Sequence, residues 1–219
     1  GAAGAERADG DEARRKAPFQ PQAIAYTALM VSVSDLHPGR ATLADLDDVP
    51  AHQVGEIVDG ELVVSPRPGV RHAWASSQLT IDLGNAFVRG RGGPGGWILL
   101  DEPELHLGPG PDVLVPDLAG WRRERLSEVP AEAFLTLAPD WVCEVLSPST
   151  ASLDRAGKLP IYAREGVRHV WLLDPGPRTL EIFRLDGPGY RLLAAHRGHE
   201  KVRPEPFDAV ELDLSGIFA

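Results

Sequence analysis

The spacing of apolar and polar positions divides the chain into short elements punctuated by Gly and Pro. EIV and ELVV, on either side of Asp59-Gly60, read as a β-hairpin, because Asp-Gly supplies the positive φ angles of a two-residue turn. Pro66 stops the second strand. Just before it, TLADLDDVP (42–50) reads as a short helix with Thr42 as N-cap and Pro50 beyond its end. Val70, Trp74, Leu79, Leu83, Phe87 and Val88 recur at helical spacing over 70–89. The glycine-rich RGRGGPGG is a loop, and WILLDEPELHL and DVLVPDLAGW form a strand pair across the turn GPGP. Residues 122–134 are charged and Pro-interrupted, a loop with a helical turn. DWVCEVLSP is a buried strand, and 150–165 are mostly helical. VRHVWLLD, RTLEIFRLD and YRLLAAH are successive strands turning at DPGP and DGPG, with a last short strand near 210–214. The order helix, hairpin, helix, strands, helix, strands predicts an α/β fold with a central mixed β-sheet flanked by helices.

The first 38 residues are different. GAAGAERADGDEARRKAP is small, charged and aperiodic, which predicts a flexible N-terminal arm or an expression remnant ahead of a single domain over 39–219. The longest apolar stretch, 23–33, is interrupted by Tyr26, Thr27 and Ser32, and Pro18 and Pro21 separate it from Arg14, Arg15 and Lys16, an arrangement that argues against an export signal. No apolar run approaches the ~20 residues that a bilayer requires. With Cys143 as the lone cysteine, no internal disulfide can form, and a reducing cytoplasm fits.

Composition is ordinary for a globular protein, with 43% hydrophobic and 25% charged residues, but the net charge is −10. That argues against a protein that coats nucleic acid through a broad basic surface. It leaves room for an enzyme that gathers carboxylates around a cation. The lysines are Lys16, Lys158 and Lys201 only, against a large majority of arginine, so the mid-chain Lys158 suggests a place where a compact ammonium is wanted.

Three segments carry candidate chemistry: VPDLAGW with Asp117, DWVCEVLSPST with Glu144, and LDRAGKLPIYA with Lys158. Along the DWVCEVLSP strand, Val142, Glu144 and Leu146 share one face, and Trp141, Cys143 and Val145 the other. A carboxylate inside such a strand is costly unless it is paired or holds a metal. If the following helix packs antiparallel to its strand, Lys158, eight residues in, returns about 12 Å and comes level with Glu144. Pro160 strains this geometry, since an interior proline kinks a helix. Two carboxylates and a lysine suit phosphodiester hydrolysis with a hard divalent cation. Equally, Glu144 and Lys158 could be a buried ion pair that only fixes the fold. Spacing leaves both open. Asp154, four residues before Lys158, is placed to pair with it. In a simple GPGP hairpin Glu102 falls opposite Asp117. Cys143, Tyr162, Val170 and Trp171 read as core.

The runs EIVDGELVVSPRPGVRH, VPDLAGW and PDWVCEVLSPSTASLDRAGKLPIYAREGVRHVWLLDP resemble the Uma-two family of "putative restriction endonucleases", within the PD-(D/E)XK nuclease superfamily, over roughly residues 42–215. The resemblance implies a restriction-endonuclease-like fold and Mg²⁺- or Mn²⁺-dependent endonuclease activity, most naturally on DNA. It implies Asp117 as the aspartate of the Pro116-Asp117 half-motif, Glu144 as the second acid, and Glu56 as an additional acid at the metal site. The superfamily often places a lysine two residues after the second acid. Here Leu146 stands there, and the resemblance shifts the lysine to Lys158 on the following helix. His72 matches a family histidine that could touch substrate phosphate. A homodimer would suit double-strand cleavage. The alternatives are a catalytically inactive member that binds or interacts through the same fold, and a nuclease acting on RNA.

Overall fold

The computed structural model describes residue 1, residues 31–32 and residues 40–218. The expected N-terminal arm and its apolar run thus lie outside the described residues, except for the two-residue strand β1 (Val31–Ser32). Helix α1 (Leu43–Asp47) begins where Thr42 caps it, the Asp45 carboxylate accepting both the Thr42 N–H and its hydroxyl. The hairpin of β2 (Gln53–Val58) and β3 (Glu61–Pro66) turns at Asp59 and Gly60, with φ of 52° and 82°. Helix α2 (Val70–Leu83) runs on into one wide π-turn at Gly84–Val88, so the periodic stretch is helical to its end.

The strands divide between two main sheets rather than forming one. WILLDEPELHL pairs with DVLVPDLAGW as expected, but both arms break at the same level. On one side of the break, β4 (Trp97–Asp101) pairs with β7 (Leu118–Arg122). On the other, β5 (Leu105–Leu107) pairs with β6 (Asp112–Leu114) across the GPGP turn. The breaks have local causes. Pro116 offers no N–H to a ladder, and Glu102 takes a left-handed φ of 44° beside Pro103. The tip of this long hairpin therefore leaves one sheet and joins the other.

The larger sheet has the order β11-β10-β9-β8-β7-β4, with β8 (Trp141–Val145), β9 (His169–Asp174), β10 (Thr179–Asp186) and β11 (Gly189–Arg197). Its β8–β9 pair is parallel and the rest are antiparallel, which makes the sheet mixed. The parallel pair is joined through a helical crossover, α3 (Leu159–Arg164) preceded by a π-turn over Leu153–Lys158. The second sheet has the order β1-β3-β2-β6-β5. A small pair, β12 (Lys201–Val202) and β13 (Leu212–Asp213), leads into a terminal turn, α4 (Leu214–Ile217), that the sequence pattern does not announce.

The two faces of β8 serve two cores, in the alternation its sequence prescribes. Trp141, Cys143 and Val145 pack under α2 and the C-terminal segment, with Trp171 and Phe207. Val142 and Leu146 pack toward α3, with Tyr162 and Trp121. A third cluster around Ile57 and Val113 holds α1 against the second sheet. The side of β8 that faces α3 also carries Glu144, near where the two sheets diverge.

Candidate active site

Glu144 sits next to the C-terminal end of β8, 2% exposed. Four other elements converge on it. The bend after β6 brings Asp117, whose Oδ2 accepts the Val145 N–H at 2.7 Å. Strand β2 brings Glu56, whose Oε1 accepts the Val115 N–H at 2.8 Å. The turn after β8 is organised by Ser147, whose hydroxyl meets those of Ser149 and Thr150 and accepts the Thr150 N–H. The crossover then brings Asp154 and Lys158.

Pro160 does not disrupt this approach, because the helix before it is wide. The Leu159 N–H donates to the Asp154 carbonyl, five residues back. A π-turn offsets the chain ahead of a proline that can neither donate a hydrogen bond nor tolerate the carbonyl four residues back. Pro160 then lies in the first turn of α3, where a missing N–H costs little. The π-turn ends at Lys158, and its ammonium reaches Glu56 Oε1 at 2.9 Å, Asp154 Oδ1 at 3.3 Å and Glu144 Oε1 at 3.5 Å. Glu144 and Lys158 therefore meet level, as the spacing suggested.

Sequence reasoning missed one contributor. Tyr162 is fully buried, as a core residue should be, but its hydroxyl donates to Glu144 Oε1 at 2.6 Å. The signal was its position four residues after Lys158, on the same helical side. His72, in the first turn of α2, is held by Asp117: its Nε2 lies 3.1 Å from Asp117 Oδ1. Glu102 falls opposite Asp117, its N–H donating to the Asp117 carbonyl at 3.1 Å, while its carboxylate pairs with Arg67 at the surface. Cys143 is on the opposite side of β8, in the other core.

Electrostatics follow from burial. Burial pushes the Glu144 carboxyl well above the ordinary carboxylate range; Lys158 works against this, and Asp154, Asp117 and Glu56 reinforce it. Asp154 is raised as well, by burial above all. For Lys158, burial works to lower the value, but Glu144, Glu56 and Asp154 together outweigh it and hold the ammonium well above its usual range. His72 behaves similarly: Asp117 overrides the effect of burial and raises it. Tyr162 holds its proton tightly because of burial and the adjoining Glu144.

Asp117, Glu144, Glu56, Lys158 and His72 line one cavity of about 840 Å³. A smaller one, about 250 Å³ beside Trp171 and Phe207 on the opposite face of the large sheet, holds none of the expected site residues. The donor set in the larger cavity suits a hard cation: four neighbouring carboxylates, Glu56, Asp117, Glu144 and Asp154, share one ammonium and one imidazole. Among the described residues, no group of three or more His, Cys, Asp or Glu side chains is arranged to hold a metal ion. A hard cation held here would therefore rest on one or two carboxylates and keep several waters.

A mixed sheet flanked by helices, with paired acids and a lysine recessed in a cleft, defines a nuclease-like α/β domain of the restriction-endonuclease type. The Uma2 family profile, described as "putative restriction endonuclease", matches residues 43–215, and the chain belongs to that family. Among solved structures, the chain is similar to a "putative nuclease belonging to DUF820" from Anabaena variabilis. The two share 20% identity with a TM-score of 0.65, over 81% of this chain and 97% of that one. At that identity the likeness establishes the fold. No curated protein matches the chain.

Proposed function

We propose that this protein is a metal-dependent endonuclease that hydrolyses phosphodiester bonds, with DNA as its substrate. The observation that carries this reading is the convergence of Asp117, Glu144 and Lys158 on one cavity in a chain of a nuclease family. Asp117 and Glu144 would hold Mg²⁺ or Mn²⁺ through oxygen. Glu56 assists, with its Oε1 already engaged by Lys158 and the Val115 N–H. When bound, the cation supplies Lewis-acid polarisation of the phosphate and a more acidic water.

The protein's own groups have distinct tasks. Lys158, whose ammonium already meets three carboxylates, acts as a donor: it hydrogen-bonds and offsets negative charge as it builds on the phosphate. Tyr162 fixes one Glu144 oxygen, and His72 and the Val145 N–H fix Asp117, so both acids are oriented in advance. In the reaction, the water oxygen bonds to phosphorus as the bond from phosphorus to one sugar oxygen breaks. One water proton is lost to solvent or a phosphate oxygen, and the departing sugar oxygen takes up another.

A non-catalytic role draws on a specific feature of the same site, the complete pairing of Lys158 with three buried carboxylates. A structural ion pair, however, needs one acid and not three, and does not need Asp117 facing an open cavity. The test is incubation of the purified chain with labelled DNA and RNA oligonucleotides in Mg²⁺, in Mn²⁺ and in EDTA. Metal-dependent DNA cleavage is expected. Lack of cleavage together with an unshifted melting temperature in both metals would favour the non-catalytic role.

A further inference from the structure

The acids of the site lie at the bottom of the cavity rather than on a surface. Glu56, Glu144, Asp154 and Lys158 have side chains only 4%, 2%, 3% and 5% exposed. Asp117, the most open of the set, is 16% exposed. One wall runs from Pro66, the last residue of β3, to Gly69, and the other is the turn Ser147 to Thr150 after β8. A duplex is stiff, with a persistence length of about 50 nm, and its phosphates lie on the outside of a wide rod. Such a rod can press a phosphate onto a convex or saddle-shaped surface. Lowering one into a recess of about 840 Å³ calls for local bending or melting, which an unpaired strand does not need.

The charge of the cavity points the same way. Five carboxylates line it, Glu56, Glu102, Asp117, Glu144 and Asp154, against the cations Arg67 and Lys158 and the imidazole of His72. Arg67 is already paired with Glu102 at 3.3 Å, and Lys158 with three acids. A grip on duplex DNA through about 6–10 phosphates needs a matching set of Lys and Arg contacts. The lining here has no such strip of cations. It offers hydroxyls instead, on Ser147, Ser149, Thr150 and Ser65, and the buried Ser65 hydroxyl has no partner within the protein. A volume of about 840 Å³ is that of a small-ligand site, enough for a nucleotide or two.

We infer that the site takes an unpaired nucleic-acid strand, with one or two nucleotides inserted between the β3–α2 and β8–α3 segments, and does not act on intact duplex. This rests on the nuclease reading above and narrows its substrate. Specificity then comes from the cavity walls and from a lining whose two cations, Arg67 and Lys158, are already paired with acids.

The experiment compares a circular single strand with a relaxed, covalently closed duplex circle of the same sequence in Mg²⁺ and in Mn²⁺, which removes frayed ends as a source of cleavage. The single-stranded circle should be cut at least about tenfold faster. Fluorescence anisotropy, with Ca²⁺ in place of Mg²⁺, supplies a readout independent of turnover. Binding of a labelled single strand should be at least about tenfold tighter than that of its blunt duplex. Its log–log salt slope should be about −0.7 to −1.4, corresponding to one or two phosphates, where six duplex contacts would give about −5. Duplex cleavage as fast as single-strand cleavage, or a single-strand salt slope steeper than about −4, overturns the inference while leaving the nuclease reading intact. Failure to cut either circle overturns both.

Discussion

Replacing Lys158 with methionine removes the one ammonium that Glu56, Glu144 and Asp154 share, with little change in volume. In the folded protein these acids are almost fully shielded from water, so solvent screening gives little relief. Removing one partner of a buried ion pair costs about 3–5 kcal/mol. For a chain of this size, each kcal/mol lowers the melting temperature by about 2–4 °C, so metal-free Lys158→Met should melt about 6–20 °C lower near pH 8. The loss should shrink on acidification, because Glu144 and Asp154 already have raised values and take up protons more readily once the ammonium is gone. It should also shrink in Mg²⁺ or Mn²⁺, which can replace the missing positive charge. The assay is thermal unfolding of wild type and variant at pH 6 and pH 8, with and without metal. A variant as stable as wild type at pH 8 without metal would mean that the three acids are not ionised together around the ammonium.

Further outcomes follow from the same geometry. Because the folded state raises the Glu144 value, this group's contribution to stability is fully present below the ordinary carboxylate pKa. It is lost as pH rises through the raised value, so Glu144→Gln should flatten the decline of metal-free stability toward alkaline pH, measured by denaturant titration across pH 5–8. Tyr162→Phe deletes the hydrogen bond to Glu144 without changing the packing; it should cost about 1–3 kcal/mol in chemical unfolding and weaken metal affinity or cleavage about 10–100-fold. Phe207→Ala acts on the other face of the large sheet, where Phe207 packs on Trp97, Trp141 and Trp171; it should cost about 3–5 kcal/mol while the folded fraction keeps its cleavage rate.

Much of this architecture was written in local pattern. Asp59-Gly60 set the first hairpin, and the alternation through Trp141–Leu146 placed Glu144 on one face and Cys143 on the other. The i,i+4 spacing of Asp154 and Lys158 matched a real pair. What was not legible came from tertiary context. A bend shared by both arms of a hairpin, at Glu102 and at Pro116, splits one expected sheet into two and turns Asp117 toward Glu144. A π-turn is invisible to a 3.6-residue period, yet it reconciles Pro160 with the position of Lys158. Tyr162 read as core because a sequence does not show whether a buried hydroxyl finds a partner, here Glu144. Family resemblance, rather than spacing, singled out Glu56; the structure then brought it to within 2.9 Å of Lys158.

In the proposed function, Asp117 and Glu144 hold a cation at which a phosphodiester is cut. The most direct test is single-turnover cleavage of a labelled oligonucleotide by wild type and by Asp117→Asn in Mn²⁺, with isothermal titration of Mn²⁺ into both. Saturable Mn²⁺ binding and metal-dependent cleavage are expected of wild type, with both lost in a folded Asp117→Asn variant. Cleavage that survives the substitution, or that proceeds equally in EDTA, would contradict that function.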